Sequence, residues 1–486
     1  MPESQSASLK KGSLNLFGVT MTALGQIAPL FSIGFTFGVI AGITGQGVPL
    51  VFFLAFIGIL ATSNSLACFS EKWPSAGSYI SFIGRAISPS VALTVFALAV
   101  VAEILLNAGI YEYMGGFILN QIFHHPTDSF GLTMVTIIVY ATICTVPVMV
   151  GVIVGVRTAV AMYLFELAII SIVVVAILVS GGDHGLSTEP LKVPSGGFQS
   201  VGLAVAIAVI AFLGFDAAAP MAEEAKDPRR SIPRALYLTA FITAVIYIVC
   251  AYAISSAFKT PADLAGNASP LVAAAHRFAS PVAILVKWAF LSSATAGFIG
   301  ASTQISRWMY NTARAELAPP SWAKIHRRFR TPVNAIFWLN AIPVLICCIA
   351  LVVTSLAIGN VFLASWGAIG MVLAFLVTNL ALITQYIRDR RAGARMPFAR
   401  HVIAPLCGVV VLGTTVYFNL KTDQPSPEKY FILIIPATIL AAVGYTMFVR
   451  SRRPTLLKSP DALFQELMDD SVVAPESPLH DAVSVK

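Results

Sequence analysis

AFLGFDAAAPMAEEAKDP, residues 211–228, is the stretch on which the reading of the fold turns. It closes an apolar run that begins near residue 199, yet Gly214, Asp216 and Pro220 stand in its middle. Proline removes a backbone donor and clashes with the preceding turn. Glycine opens the dihedral angles of an unwound stretch. A charged Asp inside an apolar run is costly unless something compensates it. The run is therefore predicted as a helix broken in two.

The first apolar segment carries a second break, LGQIAPLFSIGFTFG at residues 24–38, where Gly25, Pro29 and Gly34 are expected to interrupt the helix. At membrane depth, unwound backbone is tolerated only where it is buried in protein or lines a cavity. Amides freed at a half-helix start attract a carboxylate, and carbonyls freed at a half-helix end attract an ammonium. A zwitterionic amino acid offers both charges. The breaks lie five segments apart, the spacing of a five-plus-five inverted repeat with its site near the bilayer midplane.

Composition agrees with a lipid solvent. The 486 residues are 57% hydrophobic and only 11% charged, with a mean hydropathy of +0.82. Soluble domains carry about a quarter charged residues. Apolar stretches long enough to cross a bilayer, roughly 20 residues each, are read near 15–42, 48–70, 88–120, 131–150, 156–180, 199–225, 232–257, 280–312, 333–357, 360–387, 401–420 and 429–450. They are too long and too uniformly apolar for barrel strands, which alternate with period two. The polar start MPESQSASLKKG precedes a full-length apolar run, so the first helix is expected to serve as its own uncleaved insertion signal. Residues 1–12 are predicted as an amino-terminal tail, 13–387 as the ten-helix repeat core, 388–450 as two peripheral helices, and 451–486 as a carboxy-terminal tail with a short helix in DALFQELMDD.

The 31 Lys and Arg residues are placed unevenly. One set of loops holds clusters such as Lys226–Arg234, Arg314–Arg330 and Arg388–Arg400, while the opposite set holds only Lys192, Lys259, Arg277, Lys421 and Lys429. This bias predicts a multi-pass cell membrane protein with both termini cytoplasmic. The basic excess is thus a topology signal; it comes with no nucleic-acid motif. All six cysteines fall in apolar segments with no metal-ligand or disulfide spacing, and no ATP-binding or cofactor fingerprint is present. Neither enzyme activity, cofactor nor metal is expected.

The stretch FLGFDAAAPMAEEAKDPRRSIPRAL, residues 212–236, resembles the sixth-helix signature of the amino acid–polyamine–organocation permeases. EKWPSAGSYISFIGRAIS at 71–88 and SRWMYNTARAELAPPSWAKIHRRFRTPVNA at 306–335 are similar to further motifs of that family. The resemblance implies an inverted-repeat core with two peripheral helices, alternating access, and a substrate held between the first and sixth helix breaks. Where that family has Gly-Ser/Thr-Gly followed by Ile-Phe in the first break, this chain has IAPLFSIG. The departure falls on the amides expected to bind a substrate carboxylate.

Candidate substrate residues are Gln26, Ile27, Ala28 and Ser32 in the first break, and Phe212, Gly214, Phe215 and Asp216 in the sixth. Asp216 can equally cap the second half-helix. Glu103, in LAVVAEILLNAG, and Glu166, in MYLFELAII, are ionisable and intramembrane, hence candidates for carrying a proton or facing a cation. Apolar surroundings disfavour a carboxylate's charged form, which suits either to that task. Ser292, Ser293 and Thr295 are read as helix-packing hydroxyls, so proton coupling or exchange is favoured over sodium. Glu223, Glu224, Arg157, Arg307 and Arg314 are candidates for an inside gate. The expected activity is secondary transport of amino acids or related amines by a monomer or homodimer. A same-fold carrier of a non-amino-acid substrate, such as polyamines, ethanolamine or another cation, or nucleobases, is the alternative, and a receptor or embedded enzyme is the more distant one.

Overall fold

Asn15 starts the first helix: its side chain accepts a hydrogen bond from the Gly18 amide at 2.9 Å, a helix cap. Helix α1 (Leu16–Ile27) runs as far as Ala28, whose φ of 50° and ψ of 63° are left-handed, and α2 (Pro29–Thr44) restarts with proline in its first turn. An L-residue pays about 1–2 kcal/mol for that conformation. The break therefore falls on Ala28, not on the flanking glycines. Gly25 lies within α1, and Gly34 lies within α2, where a Cβ would come 2.4 Å from the Phe290 ring. Gly34 is there for packing.

Helices α3 (Val48–Lys72), α4 (Ser78–Ala86), α5 (Pro89–Phe117), α6 (Phe130–Val150), α7 (Val152–Ser180) and α8 (Gly197–Ala211) follow. The second break comes next. Gly214, with φ 102°, turns the chain into a 3-10 helix, Phe215–Glu223, that contains Pro220. The two pieces meet at 41°. Then come α9 (Pro228–Ser256), the short α10 (Pro261–Ala265) and α11 (Pro270–Phe278), and α12 (Ala283–Arg314), α13 (Val333–Val353), α14 (Leu356–Arg391), α15 (Ala404–Asn419) and α16 (Phe431–Arg452). The sequence places the start of α9 at Ser231–Pro233, but Pro228 behind Asp227 takes that position, as proline suits a first turn.

This computed structural model describes Gly12 and residues 14–452, except 76, 128, 151, 184, 186, 194–196, 266–268, 315, 327, 328, 330, 354, 355 and 421–427. Both predicted tails, apart from Gly12 and the last two residues of α16, and the helix expected in DALFQELMDD lie outside the described residues, as does the Glu223 side chain. Among the described residues, eleven helices are long and apolar enough to cross a membrane, and twelve if the bent pair is one span. Each expected apolar stretch coincides with one of them. The last two spans are 22% buried, against 72% for α5, so they sit at the rim.

Polar and small residues hold the interior together, as expected where lipid supplies no hydrophobic drive between helices. Asn379 on α14 donates to Thr62 Oγ1 at 3.0 Å and accepts from Ser65 Oγ at 2.7 Å, both on α3. Helices α5 and α14 touch backbone to backbone: a Cβ on Gly367 would lie 2.4 Å from the Ala102 carbonyl oxygen and 2.5 Å from the Leu106 nitrogen. Gly367→Ala must push the two helices apart, an overpacking cost of about 1–3 kcal/mol. A lower melting temperature in detergent is expected, while Gly413→Ala, with open space around it, should leave melting unchanged.

Candidate functional site

Each helix break frees backbone groups that need partners in a dry interior. At the start of α2, Pro29 has no N–H to offer. The Leu30 amide donates to Glu166 Oε2 at 3.2 Å, and the Phe31 amide donates to Ser293 Oγ at 3.0 Å. At the end of α1, the Ile27 carbonyl accepts from Ser32 Oγ at 2.8 Å. At the end of α8, the Ala211 carbonyl accepts from the Tyr247 hydroxyl at 2.6 Å. Thus α7, α9 and α12 each send a polar side chain to a break.

Asp216 sits on the 3-10 segment, 1% exposed. Its carboxylate accepts from Gln304 Nε2 at 3.2 Å, with the backbone amides of Gly214 and of Asp216 itself beside it. Gln304 Oε1 in turn accepts from Gln26 Nε2. The chain Gln26–Gln304–Asp216 ties the last turn of α1 to α12 and to the start of the 3-10 segment. It leaves Asp216 as a cap on its own segment.

Between the breaks lies a cavity of about 80 Å³. On the same measure one water needs about 10–15 Å³, so several water-sized groups fit. Gln26, Ile27, Ala28, Ser32 and Gly214 line it, and so does Glu103 from α5. Asn107 on the wall donates to Glu103 Oε1 at 3.4 Å. Phe31, Phe35 and Phe298 supply aromatic wall. Toward the far end of α2, Phe31, Phe35, Tyr113, Phe117 and Phe290 form a ring cluster with centroids as close as 4.6 Å.

Other expected residues lie elsewhere. Phe212 packs between Phe52 and Tyr247, and Phe215 packs on Phe375 with centroids 5.1 Å apart. Glu166 stands behind α2, 1% exposed, with its Oε1 unpartnered. Of the gate candidates, Arg307 and Glu224 meet: Nη2 lies 2.7 Å from Oε1, and the side chains are only 11% and 12% exposed. They form a contact ion pair off the hydrogen-bond axis, since Glu224 Oε1 has no hydrogen-bond partner in spite of that distance, and Arg307 Nε has none either. Beside them Leu14 pairs with Ala225 in an isolated bridge, through Leu14 N to Glu224 O at 2.8 Å and Lys226 N to Leu14 O at 2.9 Å. Arg157 is exposed, and Arg314 stacks on Tyr310.

Sequence reasoning passed over Asn107, Gln304, Tyr247 and Glu112. Glu112, farther along α5, is fully buried with neither carboxyl oxygen hydrogen-bonded. The rule that singled out Glu103 applies to it equally. Asn107 was legible too, one turn from Glu103.

The family model described as amino acid permease matches residues 18–458. The low-affinity putrescine importer PlaP of Escherichia coli (strain K12) is 27% identical over 448 residues, which cover 87% of this chain and 91% of that protein. Cationic amino acid transporter 5 of Arabidopsis thaliana is 28% identical over 295 residues, 59% of this chain and 48% of that one. The glutamate/serine transporter AimA of Bacillus subtilis (strain 168) is 30% identical over 190 residues, 36% and 34% of the two chains.

Proposed function

We infer the transport cycle from one premise: this chain belongs to the amino acid permease family. It performs secondary transport of amino acids or related amines. The observation that carries this reading is the small cavity between two helix breaks, with Glu103 as the one carboxylate among the described residues that line it. The substrate sits there, against Gln26, Ile27, Ala28, Ser32 and Gly214, with its ammonium toward Glu103. Phe212, Phe215 and Asp216 support the site from behind. The helices form a five-plus-five repeat over residues 13–387, with α15 and α16 outside it.

Both termini face the cytoplasm, as the Lys and Arg bias requires. The Arg307–Glu224 pair and the Leu14–Ala225 bridge then close the cytoplasmic end, and the Phe31–Phe290 ring cluster closes the outer end. Alternating access opens one closure at a time. Glu166 carries the coupled proton. Its Oε2 is held by the Leu30 amide while Oε1 is free to take an O–H, so protonation changes the charge behind α2 without unseating the carboxyl.

Flux into proteoliposomes, with a pH gradient imposed or collapsed, tests the reading. Uptake of at least one amino acid or amine is expected to depend on the gradient. Glu166→Gln keeps an acceptor for Leu30 but cannot titrate, so it should exchange substrate while no longer responding to the gradient. Gradient-independent uptake by the unmutated protein would remove proton coupling. No flux of any amino acid or amine would remove the transport reading.

A further inference from the structure

We propose that the cavity selects amines that lack a carboxylate, because the protein's own acids already fill both places where a substrate carboxylate would bind. This rests on the transport reading above and names the ligand class of that same cavity.

The amides can be accounted for one by one. In the first turn of α2, Pro29 has none, Leu30 donates to Glu166, and Phe31 donates to Ser293. Ser32 N turns back to the Ala28 carbonyl at 2.9 Å. At the second break, the Gly214 and Asp216 amides lie beside the Asp216 carboxylate. Phe215 N donates to Phe212 O at 3.2 Å, and Ala217 N to Gly214 O at 3.0 Å. The helix N-termini that could bind an anion therefore hold an internal carboxylate each, Glu166 at the first and Asp216 at the second.

The cavity wall offers an anion no counter-charge. Among the described residues lining it there is no Lys or Arg, and the one ionisable group is Glu103. A ligand carboxylate would enter a mostly apolar pocket, unpaired and facing a like charge. An ammonium meets the opposite situation. Glu103 is a direct counter-charge. The Gln26 carbonyl is available as well, because its helical donor would be the same Leu30 amide that turns to Glu166. The Phe31 and Phe298 rings on the wall add nothing that repels a cation. Glu166 is thus the specificity-determining residue: as long as it holds the Leu30 amide, a substrate carboxylate has no seat.

The test compares amines with the amino acids that differ from them by a carboxylate, putrescine against ornithine and isobutylamine against valine, in proteoliposomes of the full chain. Uptake of at least one amine is expected to exceed that of its amino acid by at least about tenfold, the loss for an anion left without a partner. Glu166→Ser and Ser293→Ala, which free one amide each, should narrow that ratio if the variants fold; the comparison with unmutated protein stands without them. Amino acids carried as well as or better than their amines would overturn the proposal and leave the transport reading standing. No flux of either member of either pair would overturn both.

Discussion

Glu103→Gln is expected to lower amine uptake, as kcat/KM, by about 30-fold or more, because truncating one partner of a desolvated charge pair costs about 2–5 kcal/mol. Glu103 is 6% exposed and is the one ionisable group among the described residues that line the cavity. The variant has the same shape, and Asn107, one turn away, can still donate to the remaining carbonyl oxygen. Melting temperature should therefore barely change, which separates a binding role from a structural one. A second readout is pH. In the unmutated protein, protons and the substrate ammonium compete for one carboxylate, so amine binding should weaken as the loading side is acidified. Asp216 is the other carboxylate whose charge reaches Glu103, but it accepts from Gln304 on α12 and lies beside the Gly214 and Asp216 amides. Glu103→Gln, neutral at every pH, should bind weakly throughout with a flat profile. Uptake and profile both unchanged would move the ammonium away from Glu103.

The twelve spans, the two breaks and the intramembrane acids could be read from the sequence because each is a local signal: an apolar run of set length, a proline or glycine within it, a charge where charge is costly. Pro29 marked the first break, and the second half-helix starts on it, but the residue that makes the turn was not legible. Gly25 and Gly34 drew attention, whereas the left-handed residue is Ala28, and nothing about an alanine announces a positive φ. The strain is held by Ser32, Glu166 and Ser293, and the last two lie 136 and 262 residues from their partners in chain order. For the same reason Glu166 could be suspected of titrating but not of occupying a helix start. Gln304 was invisible until its two partners, Gln26 and Asp216, stood on either side of it. Charge pattern alone suggested five gate residues; packing joins two of them and leaves Arg157 exposed and Arg314 on a tyrosine ring.

Arg307→Met is expected to destabilise the closed end by about 3 kcal/mol, since it leaves Glu224 as a largely buried charge without its partner. That is the low end of the range for broken buried pairs, chosen because both side chains keep some exposure. The double variant Arg307→Met/Glu224→Met should regain most of the lost melting temperature, because it removes both desolvated charges together. Uptake should not recover with it. Opening this end must separate the ion pair and the two backbone hydrogen bonds that join Leu14 to residues 224–226. Each such hydrogen bond contributes about 0.5–1.5 kcal/mol net. Together these contacts amount to a few kcal/mol, the range in which an alternative state stays populated at about 0.1–10% and can be reached in every cycle. With the pair removed, the open state at this end becomes too populated, and substrate loading from the other side is lost while the fold survives. A double variant no more stable than the single would show that the two charges are not coupled, and the closure would then rest on the Leu14–Ala225 bridge alone.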